Sequence, residues 1–191
     1  MTPILIIVAV SLSALFITLG TGANAAFKTT DNSSAIAMKF AFFMAVSYFC
    51  FYYIGAWITK YLLDMMSDRE MWIITSSILF FAVAVKTIWN VFSYKSEDNV
   101  YNLSKTSIQV LLSIAGGFNA LLVSVALTFF LASKFAQVPV LKTALIITLG
   151  AFAGSMSGAK LSENAAKIVT KLRPALLGGV ILLALAVYLF I

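Results

Sequence analysis

Six long, mostly apolar stretches joined by short polar segments leave this chain few ways to fold; they run near 3–27, 36–63, 70–94, 106–133, 138–158 and 173–191. A lipid hydrocarbon layer roughly 30 Å thick is crossed by about 20 helical residues, so each stretch is long enough to span it. Backbone N–H and C=O groups in lipid must be satisfied within the protein, which leaves helices or closed barrels. A barrel strand alternates polar and apolar residues over about ten positions, and "PALLGGVILLALAVYLFI" at 174–191 shows no alternation. The expected fold is all-α, a polytopic membrane protein of six transmembrane helices. Composition agrees: 62% hydrophobic and 10% charged residues, with a mean hydropathy of +1.02, lie outside the range of soluble domains. No linker or low-complexity tract divides the chain, so residues 1–191 are read as a single membrane domain.

The segment "TGANAAF" at 21–27 resembles a signal-peptidase site. No basic region precedes the apolar run, so the first helix is expected to be retained. Orientation follows from Lys and Arg in the joints. One side collects Lys28, Lys39, Lys95, Lys105, Lys160, Lys167, Lys171 and Arg173; the other collects Lys60, Arg69, Lys134 and Lys142. The richer side is expected to be cytoplasmic, with both termini outside, in the cell (inner) membrane. The net charge of +6 is then a property of membrane flanks and calls for no nucleic acid.

Cys50 is the lone cysteine and the chain has no histidine. A His-based triad, a haem axial histidine, a Cys/His zinc site and an iron–sulfur cluster all need ligands that are absent here. No catalytic residue, metal site or cofactor is expected, and the chain is not read as an enzyme.

A weak internal repeat organises the polar residues. "SALFITLG" at 13–20 aligns with "NALLVSVA" at 119–126, pairing Ser13 with Asn119, Ala14 with Ala120, Leu15 with Leu121 and Thr18 with Ser124; "AVK" at 84–86 parallels "AVY" at 186–188. Halves of about 1–95 and 105–191 would each hold three helices. Because three is odd, they would enter the membrane from opposite sides, an inverted 3+3 repeat of the kind that places a transporter's site between its halves. Ser13 and Thr18, like Asn119 and Ser124, lie within about 140° of each other on a helix. Ser113 and Gly116 fall closer to the face of Asn119, at offsets of three. Gly20, Gly22, the "GSMSG" at 154–158 and the "GG" at 178–179 supply surfaces for close helix approach. Lys86 lies inside the third span, either as a functional cation or snorkelling to the headgroups.

These same segments carry a family resemblance. "SALFITLGTG" and "GFNALLVSVAL" resemble the S-x-D-A-[FL]-[AV]-V signatures that open the two halves of the manganese efflux pump family, six-helix exporters within the lysine-exporter superfamily. Ser13 and Asn119 stand at the Asp positions. "AVAVKTIWNVF" resembles the end of the family's third helix, with Lys86 retained and Asn90 where an acidic residue is usual, and "ALLGGVILLALAVYLF" resembles its last helix. The resemblance implies an exporter; the departures bear on its cargo. All seven acidic residues, Asp31, Asp64, Asp68, Glu70, Glu97, Asp98 and Glu163, fall in joints or at helix ends. Manganese is held chiefly by oxygen and nitrogen ligands that include carboxylates.

The expected function is therefore a small secondary transporter with a neutral polar site between the halves, lined by Ser13, Thr18, Lys86, Asn90, Asn119 and Ser124, and not a conventional manganese exporter. The alternative is a non-transporting subunit of a larger membrane complex. The aromatic "FAFFMAVSYFCFYYIGAW" at 40–57 would then be adhesive surface rather than lipid-facing surface. Expected partners are the lipid bilayer, a small solute or ion, and a second copy or other membrane subunits.

Overall fold

The computed structural model describes residues 3–26, 34–65, 68–93, 102–134 and 140–190. It is all-helical over the described residues: α1 (Pro3–Ala26), α2 (Ser34–Met65), α3 (Arg69–Ser93), α4 (Thr106–Lys134), α5 (Val140–Ala159), α6 (Glu163–Leu172) and α7 (Pro174–Phe190). Six helical stretches are long and apolar enough to cross a membrane, α6 and α7 counting together. Phe42, Trp57, Leu111, Leu149 and Phe190 are exposed on the outside of the bundle, which water would penalise and lipid would not. Lys28, Asp31, Lys95, Glu97 and Asp98 lie outside the described residues.

The apolar stretches set which segments become helices, but not how they assemble, because lipid is as apolar as the helix surfaces and close van der Waals fit must do the sorting. Small residues mark the closest approaches. On α5, Gly150, Gly154 and Gly158 face the backbone of α1 at Ser11, Leu15 and Leu19. On α1, a Cβ at Gly22 would sit 2.7 Å from the Ser155 carbonyl oxygen. Both helices advance together along this seam, so α1 and α5 run parallel. Helices α2 and α4 form a second parallel seam, where a Cβ at Gly55 would meet the Leu121 carbonyl oxygen at 2.7 Å. Helix α7 packs on α1 and α3, α4 packs on α3, and α2 packs on α5.

Hydroxyls, buried except for the half-buried Ser11, tie these seams to carbonyls already used in helix bonds. Ser11 donates to the Ile146 carbonyl at 2.9 Å, Ser47 to Ser113 at 2.6 Å, Ser76 to Ala126 at 2.7 Å and Ser77 to Ala186 at 2.7 Å. A short hydroxyl side chain adds an interhelical bond without leaving a donor orphaned in an apolar medium.

The joint expected at 159–172 contains the additional helix α6. Ser162 caps it, its hydroxyl accepting from the Ala165 amide at 3.4 Å. The helix stops where Pro174 follows Arg173, because a residue before proline is disfavoured in the right-handed helical region. Arg173 adopts the left-handed conformation with φ 47° and ψ 61°, and its amide bonds the Thr170 carbonyl. Pro174 then starts α7, a first-turn position that needs no N–H. Ile168 and Leu172, one turn apart, are exposed beside Lys167 and Lys171, the mixture expected of a helix lying along a membrane surface.

Candidate functional site

The C-terminal parts of α1 and α3, the N-terminal parts of α2 and α4, and the α6–α7 elbow surround a cavity of about 400 Å³. Helical spacing explains which side chains line it. Ile17, Gly20, Thr21 and Asn24 form one stripe of α1, and Leu112, Ala115, Gly116 and Asn119 form the matching stripe of α4, both at the 3–4–7 spacing of a single helix face. Lys86, Thr87, Asn90 and Val91 come from α3, Met44 and Tyr48 from α2, and Thr170, Arg173, Pro174 and Ala175 from the elbow.

The Lys86 ammonium donates to Asn119 Oδ1 at 3.0 Å. Asn119 lies about 20 Å along α4 from its start and Lys86 about 10 Å from the end of α3, at 1.5 Å per residue. The lysine therefore reaches inward to the middle of the bundle instead of turning to the headgroups. With its carbonyl oxygen engaged by Lys86, the Asn119 amide turns its two N–H donors elsewhere. Arg173 places its guanidinium 5.3 Å from the centre of the Phe92 ring. Asn24 and Asn90 add two further exposed amides. No carboxylate lines the cavity among the described residues, and none of those residues form a group of three His, Cys, Asp or Glu able to hold a metal ion.

Of the six residues expected from sequence to line a site, Lys86, Asn90 and Asn119 come together here, and Ser13, Thr18 and Ser124 do not. Ser13 is buried and donates to the Gly178 carbonyl at 3.0 Å, Thr18 donates to Ala14 at 2.8 Å within its own helix, and Ser124 donates to the Tyr52 carbonyl. Each hydroxyl is spent on backbone: Ser13 and Ser124 tie neighbouring helices together, and Thr18 bonds within α1. Sequence reasoning passed over Thr21, Asn24, Tyr48, Thr170 and Arg173. Asn24 was legible as a further amide in an apolar span, one turn beyond Thr21, but it fell within the segment that imitates a cleavage site.

The Mntp family model, which describes a manganese efflux pump, matches residues 30–190. The chain belongs to the manganese efflux pump family. It is an integral membrane protein of the efflux-transporter type. The match begins ahead of α2 and includes Lys86, Asn90, Asn119 and the elbow, whereas the Ser13 segment of α1 precedes it. No curated protein and no solved structure matches the chain.

Proposed function

We propose that this member of the manganese efflux pump family is a secondary transporter that takes its substrate in the cavity around Lys86, Asn90 and Asn119, and that manganese is not the substrate. The Lys86–Asn119 hydrogen bond in the cavity wall carries the reading. A divalent ion gives up hydration only where formal negative charge compensates, and here it would meet an ammonium. At about 6 Å and an effective dielectric near 20, that repulsion alone is about 5 kcal/mol.

An inverted repeat accounts for a cavity open at one end. The register that pairs Leu15 with Leu121 and Thr18 with Ser124 also relates two glycine contacts: Gly154 meets Leu15 and Thr18 on the α1–α5 seam, and Gly55 meets Leu121 and Ser124 on the α2–α4 seam. The register that pairs Ala84 with Ala186 pairs Ser77 with Gly179; the Ser77 hydroxyl bonds the Ala186 carbonyl, and Gly179 packs on the Ala84 carbonyl. Under this exchange Asn119 maps onto Ser13, so the open cavity maps onto the closed Ser13–Gly178 contact. Alternating access would open that contact as the cavity closes. The cavity sits at the end of the bundle that carries Lys39, Lys105, Lys160, Lys167, Lys171 and Arg173, the end we assign to the cytoplasm of the cell (inner) membrane.

The test compares solute profiles of cells and medium for wild type, deletion and Asn119→Leu. The substitution should reproduce the deletion profile while the protein accumulates normally in the membrane, and deletion should leave manganese tolerance unchanged. A manganese-specific growth defect, rescued by the wild-type chain, would overturn the exclusion of manganese. A wild-type profile for Asn119→Leu, with stoichiometric co-purification of other membrane proteins, would favour a subunit role instead.

A further inference from the structure

We infer that the cavity is an anion site, and that the cargo is a small organic anion carrying one or two negative charges. This rests on the reading of the cavity as the transport site and specifies its substrate class. Two formal cations line the cavity, Lys86 and Arg173, and no carboxylate among the described residues offsets either one. Lys86 is held by an amide, which orients the ammonium without neutralising it. A carboxylate at position 119 would form an ion pair with Lys86 and cancel the field; asparagine leaves it intact and adds N–H donors. Asn24 and Asn90 contribute further donors at the mouth.

The backbone adds to this. Pro174 and Ala175, the first residues of α7, line the same cavity, so the positive end of that helix faces whatever binds there. The carbonyl ends of α1 and α3 also lie at this end of the bundle, and their partial negative charge falls off within the last turn. The inner cation Lys86, about 10 Å inside the end of α3, lies beyond that partial charge, and we place the anionic group there. Apolar Ile17, Met44 and Leu112 share the wall, which favours an organic anion over a bare inorganic one. A volume of about 400 Å³ falls within the range of small-molecule pockets, roughly 300–1,000 Å³.

The experiment measures thermal midpoints and calorimetric binding for the purified full chain in neutral detergent at constant ionic strength. The probes are sodium acetate, sodium succinate, sodium phosphate, manganese chloride and micelles doped with phosphatidylglycerol. Acetate or succinate should raise the midpoint saturably. Lys86→Met and Arg173→Gln should weaken that binding about tenfold or more, and Lys86→Arg should retain it. Asn119→Asp should abolish it by pairing with Lys86. Should Lys86→Met fail to fold, Arg173→Gln and Asn119→Asp decide the matter. The inference is overturned by an anion effect that survives Asn119→Asp and Arg173→Gln, by the absence of any saturable anion effect, by Lys86-dependent binding of phosphatidylglycerol alone, or by stabilisation with manganese chloride that requires Asn119. The transport-site reading fails separately: it falls only when Asn119→Leu leaves the cellular solute profile at wild type.

Discussion

A polar side chain in an apolar helix does one of two jobs, binding a neighbouring helix or facing a ligand, and Asn119 and Ser124 divide them. Ser124 closes on the Tyr52 carbonyl and is fully buried, whereas Asn119 holds the ammonium of Lys86 at a cavity wall. Ser124→Ala should cost about 0.6 kcal/mol, the average for interhelical hydrogen bonds in membranes, because the Tyr52 carbonyl keeps its own helix bond. Denaturation of the purified variant checks this, and its solute profile should match wild type. Arg173 combines two effects that a single substitution separates. Its left-handed backbone costs a side-chain-bearing residue about 1–2 kcal/mol, while the residue lines the cavity and carries a formal charge. Arg173→Gly should therefore hold or raise the thermal midpoint while weakening anion binding; a lowered midpoint with unchanged binding would reverse both assignments.

At the level of helices, the bundle depends on where side chains are missing. Gly154 lies against the Leu15 backbone and the Thr18 hydroxyl, and Gly150 and Gly158 continue the seam one turn to either side. Backbone cannot move aside as a flexible side chain can. Gly154→Ala should destabilise the fold by about 1–3 kcal/mol, the usual cost of overpacking. Gly20→Ala on the same α1 should be mild, because its Cβ would stand 3.5 Å from Ala175, an ordinary contact. Thermal midpoints of the two variants side by side test the comparison; equal losses would show that the α1–α5 seam is not the tighter one. Helix α6 shows a different control. Its residues are too polar to span lipid, yet the Ser162 cap and the turn forced ahead of Pro174 give it a defined start and stop, and it carries Thr170 and Arg173 to the cavity.

For the whole molecule, charge distribution sets the orientation and the direction in which the cavity opens. With Lys39, Lys105, Lys160, Lys167, Lys171 and Arg173 at one end and Lys60, Arg69 and Lys142 at the other, the cavity should face the cytoplasm. In a Cys50→Ala background, Ser162→Cys should resist an impermeant thiol reagent applied to intact cells and react after permeabilisation. Full labelling of intact cells would reverse the orientation and place the anion site outside.

The class of fold and the positions of the spans follow from the order of residues alone, because hydropathy is summed over some twenty residues and survives ignorance of every neighbour. The order of residues also singles out Lys86 and Asn119, since a polar group in lipid is costly enough to be conspicuous alone; Asn90 is marked by the family resemblance. That order could not assign Ser13, Thr18 and Ser124, whose hydroxyls serve equally well as cavity lining or as interhelical bonds. Packing decides Ser13 and Ser124, by setting a carbonyl of a neighbouring helix within reach of each, whereas the Thr18 hydroxyl bonds Ala14 in its own helix. Packing likewise brings Arg173 and the start of α7 to the cavity that Lys86 lines, residues far apart in the chain that meet there only once the helices have assembled.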